Sequence, residues 1–420
     1  MTRRVRLERD TLWLSGADIA ALLVGITVHV ILTQTYTDGD YGRWVLLLDL
    51  YYVSSTLIDL GLPTLIGRDS ERMGKMAQNL VHRTLRIQIR LTLPIILIGG
   101  VVGWYWIGGS IIWLVAALIL ALSAAVQILA YAHRSALRAL GESRQEALVR
   151  LVDRGATAIG IVLAAWFFGA HPIALSLATF AGPLGAILIA INLGEKKLTS
   201  ITNMGESLDY ANDNVRTLLT LGLPFLLASI ALVLNVRVEK LMLGVIATPE
   251  DVEVFQIAWL AFIAGYAPIL SVRAVMLSWF GETRHDLEIL QHRQQRALKM
   301  IFIVTVPGLI IGYTLGQASI GWVFPDYAME AKPIFLLLLI AWALALNASV
   351  PITIIQVSEK PMYYAAVLWL GIISDAIICV LMIPDQGTEG AAIGAIVGSA
   401  IVLFTAMILS RKLNLNSTAI

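Results

Sequence analysis

Long apolar blocks separated by short polar turns organise this chain from end to end. A block of about 20 apolar residues matches a hydrocarbon core about 30 Å thick, at about 1.5 Å of rise per helical residue. Only helices and closed barrels satisfy the backbone inside lipid, and blocks this long and continuous read as helices. Twelve can be placed, near 11–33, 42–65, 90–107, 111–132, 151–169, 173–193, 217–241, 253–275, 300–316, 333–356, 362–383 and 390–410. The pattern predicts an all-α integral membrane protein with twelve transmembrane helices. The longest polar stretch, 194–216, falls at the midpoint. The chain is therefore expected to divide into an N-terminal six-helix half (1–195), a cytoplasmic connecting segment (196–216) and a C-terminal six-helix half (217–420).

Charge supports the count. Of the 30 basic residues, all but Arg43, Arg237, Lys240 and Lys332 fall in one alternating set of turns and the termini. Positive residues are retained on the cytoplasmic side, so both termini are expected to face the cytoplasm, in a multi-pass protein of the cell (cytoplasmic) membrane. The opposite turns are short and acidic: TDGD at 37–40, TPED at 248–251 and PDQGTEG at 384–390. The N-terminus starts basic, but its apolar stretch is too long for a cleaved signal and reads as an uncleaved first span. Only 14% of the 420 residues are charged and 58% are hydrophobic, where a soluble domain carries roughly 25% charged. A net charge of +1, with no basic domain, argues against a nucleic-acid partner. The single cysteine, Cys379, has no disulfide partner in the chain and reads as a small core residue.

The two halves look related. After span 4, GESRQEALVRLVDRGATAIGIVLAAWFFGAHPIALSLATFAGPLGAI gives a polar turn, an apolar span, a Gly/Pro break and a small-residue span. After span 10, SEKPMYYAAVLWLGIISDAIICVLMIPDQGTEGAAIGAIVGSAIVL repeats that order, with Gly141 matching Ser358 and Pro172 matching Gly390. An offset of six helices returns the chain to the membrane in the same direction. A parallel pseudo-twofold repeat about the membrane normal follows, with a central cavity between the halves.

No catalytic constellation is present: there is no Walker A loop, HExxH, cysteine cluster or GxSxG elbow. A transporter rather than an enzyme is expected, without a cofactor or metal. The candidate residues are ionisable groups within spans, which are costly there and usually face a polar path or a partner. Asp18 and His29 lie about three helical turns apart on one face of span 1, with Leu22 and Gly25; they either border a wet cavity or are each solvated near an interface. Span 7 ends in LNVRVEKLMLG, where Arg237 and Lys240 share a face and either meet an anionic headgroup or snorkel, with Glu239 as local partner. In span 8 an aromatic stripe, Phe255, Trp259, Phe262 and Tyr266, leads toward Arg273, which is either a ligand-facing cation or an interface anchor. Asp153 and Arg154 open span 5 as a paired gate or an interface mark. Asp375 sits mid-span in LGIISDAIICV with no basic neighbour in sequence, free to titrate or to meet an arginine from another helix. Asp49 and Asp59 in span 2 are weaker candidates of the same type. Gly390, Gly394 and Gly398 repeat every four residues and permit close helix approach. Prolines at 63, 94, 224, 268, 307 and 351 lie in or near spans and are expected to kink them.

TYTDGDYGRWVLLLDLYYVSSTLIDLGLPTLIGRD resembles the first hairpin of polysaccharide flippases, through Tyr41-Gly42 after the outer loop and Gly61-Leu62 closing span 2. GLPFLLASIALVLNVRVEKLMLGVIATPEDVEVFQIAWL is similar to their spans 7–8, with an acid at Glu239 and an alanine at Ala258, although Val254-Phe255 departs from their Gly-x-Tyr. The run Gly390 to Ile393 resembles their last spans. The likeness points to the multidrug/oligosaccharidyl-lipid/polysaccharide (MOP) exporter superfamily, in its O-antigen flippase-like branch. It implies a flippase carrying polyprenyl-diphosphate-linked oligosaccharide to the outer leaflet by alternating access, with the lipid-linked glycan, membrane lipids and glycan-assembly proteins as partners. On that reading Arg237, Arg273 and Arg154 hold the anion, and Asp18 and Asp375 couple an ion or proton. The alternative is a cation-coupled multidrug exporter of the same superfamily, for which Asp18, Asp49 and Asp375 would be the carboxylates. GRDSERMGK at 67–75 also fits a motif of major facilitator transporters, through Gly67, Glu71, Arg72, Gly74 and Lys75.

Overall fold

A computed structural model describes residues 3–36, 39–201, 215–281, 286–358 and 361–416. Among these every regular element is a helix: α1 Arg3–Thr35, α2 Asp40–Asp59, α3 Leu62–Met73, α4 Met76–Ile107, α5 Ile111–Ala139, α6 Ser143–Phe168, α7 Pro172–Thr199, α8 Val215–Leu234, α9 Val238–Ile246, α10 Pro249–Gly281, α11 Leu287–Ile311, α12 Gln317–Val323, α13 Ala328–Val357 and α14 Pro361–Asn416. A π-helical turn at Gly312–Gly316 joins α11 to α12, and a short 3₁₀ turn at Pro325–Tyr327 precedes α13. Among the described residues, eight segments are long and apolar enough to cross a membrane, and the bent pair α2–α3 makes a ninth. α14 runs for 56 residues, about 84 Å at helical rise, so it must hold two spans. They meet at Gly387, whose φ of +53° breaks the helix where PDQGTEG predicts a turn.

The chain forms two compact units, Met1–Val233 and Leu234–Ile420. The division falls beyond the expected connecting segment, most of which (202–214) lies outside the described residues. The reason is visible in α8, which packs against the break between α2 and α3. A Cβ on Gly61 would stand 2.3 Å from the Gly222 carbonyl oxygen and 2.7 Å from the Leu226 nitrogen, so this backbone-to-backbone approach needs glycine. Leu60 and Gly61 are both left-handed, with φ of +56° and +69°, and α3 leaves at 55° to α2 with Pro63 in its first turn. Span 2, read as continuous over 42–65, is thus broken at 60–61. Leu62, Leu65, Ile66 and Met73 of α3 bury a core with Leu80, Val81 and Ile87 of α4.

Span 7, read as continuous over 217–241, is broken as well. α8 ends at Leu234, Asn235 to Arg237 form a turn, and α9 begins at Val238. Broken helices at membrane depth are tolerated where they are buried in protein or line a polar cavity. Within α14, the glycines read as close-approach residues are so: a Cβ on Gly390 would lie 2.6 Å from the Met382 carbonyl carbon, and one on Gly398 3.0 Å from the Gly371 oxygen. Outward from these contacts the helices present Leu93, Leu97 and Ile98 of α4, Phe302, Ile303 and Val306 of α11, and Trp166 and Phe167 of α6, all well exposed. Apolar faces this extensive are covered by lipid rather than water.

Candidate functional site

The break before α9 places Glu239 in that helix's first turn, at its positive pole, facing α14. There its carboxyl lies within hydrogen-bonding reach of Asp375, and both are buried, at 6% and 5% exposure. Cys379, one turn along α14, donates its thiol to Asp375 Oδ1 at 3.3 Å. Glycines close the pocket on the other side. A Cβ on Gly394 would fall 2.5 Å from Asp375 Oδ1 and 2.6 Å from Cys379 Sγ, and one on Gly398 2.9 Å from Asp375 Cβ. Glu239 Oε2 has no hydrogen-bond partner. Two carboxyls in contact and away from water cannot both stay ionised unless a proton or a cation sits between them. The arrangement can therefore take up and release one positive charge.

Asp375 thus meets an acid from another helix rather than an arginine, and Glu239 reaches it while still attracted by its neighbour Lys240. Lys240 is itself buried at 2% exposure: its Nζ donates to Gln256 Oε1 at 2.9 Å and stands 4.0 Å from the centre of the Trp259 ring. This is a cation held by an amide and an aromatic face, not a snorkelling side chain. Nearby on α10, the Glu253 carboxylate accepts a hydrogen bond from the Tyr327 hydroxyl. Arg237 sits in the turn before α9. Arg273 donates from Nη2 to the Tyr364 hydroxyl at 3.1 Å and lies 5.9 Å from that ring's centre. The stripe of α10 divides its work: Phe255 is core, Trp259 holds Lys240, and Phe262 packs with Tyr266 at 5.5 Å.

The N-terminal unit carries a second buried polar chain. Tyr51 of α2 donates to Gln127 of α5 at 2.7 Å, and Gln127 donates to Asp153 of α6 at 3.3 Å. Arg154 donates to the Tyr52 hydroxyl at 3.1 Å. Asp153 and Arg154 are adjacent and attract each other, and each also hydrogen-bonds to a different helix, α5 and α2 respectively. His29 is half-buried, and its Nδ1 is 2.8 Å from the Tyr41 hydroxyl, linking α1 to α2. Asp18 falls within α1, but its side chain lies outside the described residues. The structure brings Asp375 together with Glu239, whose role as its partner the sequence did not disclose. It leaves Arg154 in the N-terminal unit, and Arg237 and Arg273 in the other.

No protein-family model and no curated protein matches the chain by sequence. Solved structures do match by fold. One is described as the inward-facing conformation of a multidrug resistance MATE family transporter of the MOP superfamily (TM-score 0.76, 13% identity, covering 95% of this chain and 96% of that one). Another is described as the outward-facing conformation of such a transporter (TM-score 0.74, 14% identity, 99% and 96% covered). A third is a MOP superfamily transporter from Pyrococcus furiosus Vc1 (DSM3638), described by a reverse polarity of its binding pocket that suggests a different function (TM-score 0.73, 14% identity, 99% and 96% covered). These likenesses lie against the facilitator-like reading of residues 67–75. The chain is an all-α membrane protein with the fold of MOP superfamily transporters.

Proposed function

We propose that this protein is a cation-coupled, alternating-access exporter of amphipathic, positively charged small molecules. The observation that carries the reading is the buried contact of Glu239 with Asp375. A carboxyl pair that must gain a positive charge when closed, and can lose it when open, converts a proton or sodium gradient into a preference between two conformations. The fold supports the reading, since structures sharing it are described as inward-facing and outward-facing states of multidrug transporters. In this proposal the basic turns face the cytoplasm, and both termini are inside.

A second reading is kept for one reason: Arg154 and Arg273 are each held by a tyrosine hydroxyl, with no carboxylate ion-paired to either among the described residues. Cations within a membrane that lack a close carboxylate ion pair suit an anionic cargo such as a lipid-linked oligosaccharide diphosphate. One set of proteoliposomes separates the two. Gradient-driven efflux of a lipophilic cationic dye is expected from the parent and is expected to fall at least tenfold in Glu239→Gln and in Asp375→Asn, with dye binding retained. Dye efflux untouched by either substitution would sink the coupling role. Transfer of a pyrophosphate-linked glycolipid between leaflets, lost in Arg273→Ala and Arg154→Ala, would select the second reading instead.

A further inference from the structure

Where α2 stops, a buried carboxyl oxygen and two buried side-chain oxygens of the adjoining α4 have no hydrogen-bond partner. Asp59, the last residue of α2, is 6% exposed, and its Oδ1 has no hydrogen-bond partner. Gln88 of α4 is fully buried; its amide Nε2 donates to the Asp59 backbone carbonyl at 3.3 Å, which fixes the two residues side by side. With that donor used, Gln88 Oε1 is left buried and unpartnered. Thr84, one turn earlier on the same face of α4, is also fully buried with Oγ1 unpartnered. Among the described residues no cationic side chain hydrogen-bonds to or ion-pairs with Asp59. The same spot is the negative pole of α2, whose last carbonyls lose their helical partners at the Leu60–Gly61 break.

Buried oxygens are normally satisfied, and a buried carboxylate without a counter-charge is costlier still. The mismatch here is of one kind, because acceptors outnumber donors and the net charge is minus one. A proton would bridge two oxygens at most. A hard cation satisfies several oxygens at once, and a single positive charge leaves the site neutral, whereas a divalent ion would not. The geometry points to a monovalent-cation site in the N-terminal unit, formed by Asp59, Gln88 and Thr84 at the break between α2 and α3, with sodium as its ligand. It shares no residue with the Glu239–Asp375 pair and does not depend on that pair's role. Because α8 packs on Gly61 at the same break, an ion at Asp59 sits beside the corner against which α8 rests within the same unit.

Equilibrium dialysis of the full chain in detergent with ²²Na⁺ tests the site. The background is the Glu239→Gln/Asp375→Asn double variant, which removes the other carboxyl pair, so failure here is read apart from failure of the proposed function. Saturable ²²Na⁺ binding is expected to survive in that background and to weaken at least tenfold on adding Asp59→Asn. Gln88→Leu and Thr84→Val, which leave the carboxylate in place, are each expected to weaken it several-fold. They decide the matter should Asp59→Asn fail to fold. No saturable binding in the background, or binding unchanged by these substitutions, overturns the proposal. So does an infrared carboxylic-acid band lost in Asp59→Asn that persists at neutral pH in saturating sodium, since Asp59 would then hold a proton.

Discussion

Asp375 is hemmed in by two residues that have no side chain. Gly394 and Gly398 let the second span of α14 close on the first, so that a methyl at position 394 would meet the carboxylate oxygen and the Cys379 sulfur at once. Overpacking of this kind typically costs about 1–3 kcal/mol. Gly394→Ala is expected to lower the melting temperature of the purified protein and to reduce coupled transport. Gly25→Ala, where a Cβ meets nothing within 4 Å, is expected to do neither; equal melting of the two variants would show that the approach is not tight. The carboxylates were visible in the sequence as expensive in-span charges, but their pairing was not. Glu239 and Asp375 lie on helices far apart in the chain, and Arg237 and Lys240 stand beside Glu239 as more obvious companions. Lys240 adds two contacts that its own span does not show, because Gln256 and Trp259 belong to the next helix.

At the scale of the element, hydrophobic blocks located the helices because lipid imposes one length and one polarity on every span. They did not locate the breaks. LNVRVEK contains no proline or glycine, so nothing in its composition marks the turn at 235–237. Gly61 was seen, but as the close of a span rather than its corner, because the contact that requires it comes from α8. Gly61→Ala joins two penalties: about 1–2 kcal/mol for a left-handed alanine, and a Cβ 2.3 Å from the Gly222 oxygen. It is expected to unfold at lower temperature than the parent and to loosen α3 and the start of α8 in hydrogen exchange. A protection pattern identical to the parent's in both segments would mean that the contact with α8 does not hold the corner.

For the molecule as a whole, what stays outside is as informative as what is packed. α11 and α4 turn long rows of Phe, Ile and Leu away from the protein, while α5 buries most of its length against its neighbours. A carbene-generating probe dissolved in the bilayer is therefore expected to label Leu93, Leu97, Phe302 and Ile303 several-fold more than Leu120 or Ala124. Equal labelling would mean that the exposed rows do not face lipid. The near-repeat of spans 5–6 in spans 11–12 leads to the expectation of two halves. Packing divides the chain at Val233–Leu234 rather than in the central polar stretch, because polarity marks where a chain leaves the membrane and not where packing changes hands.

The chain contains one cysteine, and it is the residue that touches Asp375. No thiol has to be removed or introduced for this protein to report on its own carboxyl pair. With Cys379 fully buried behind Gly394, a small membrane-permeant maleimide can reach it only when the two spans of α14 part. The alkylation rate, read without any engineered label, is then a clock for the opening of that pocket under each gradient imposed on the membrane.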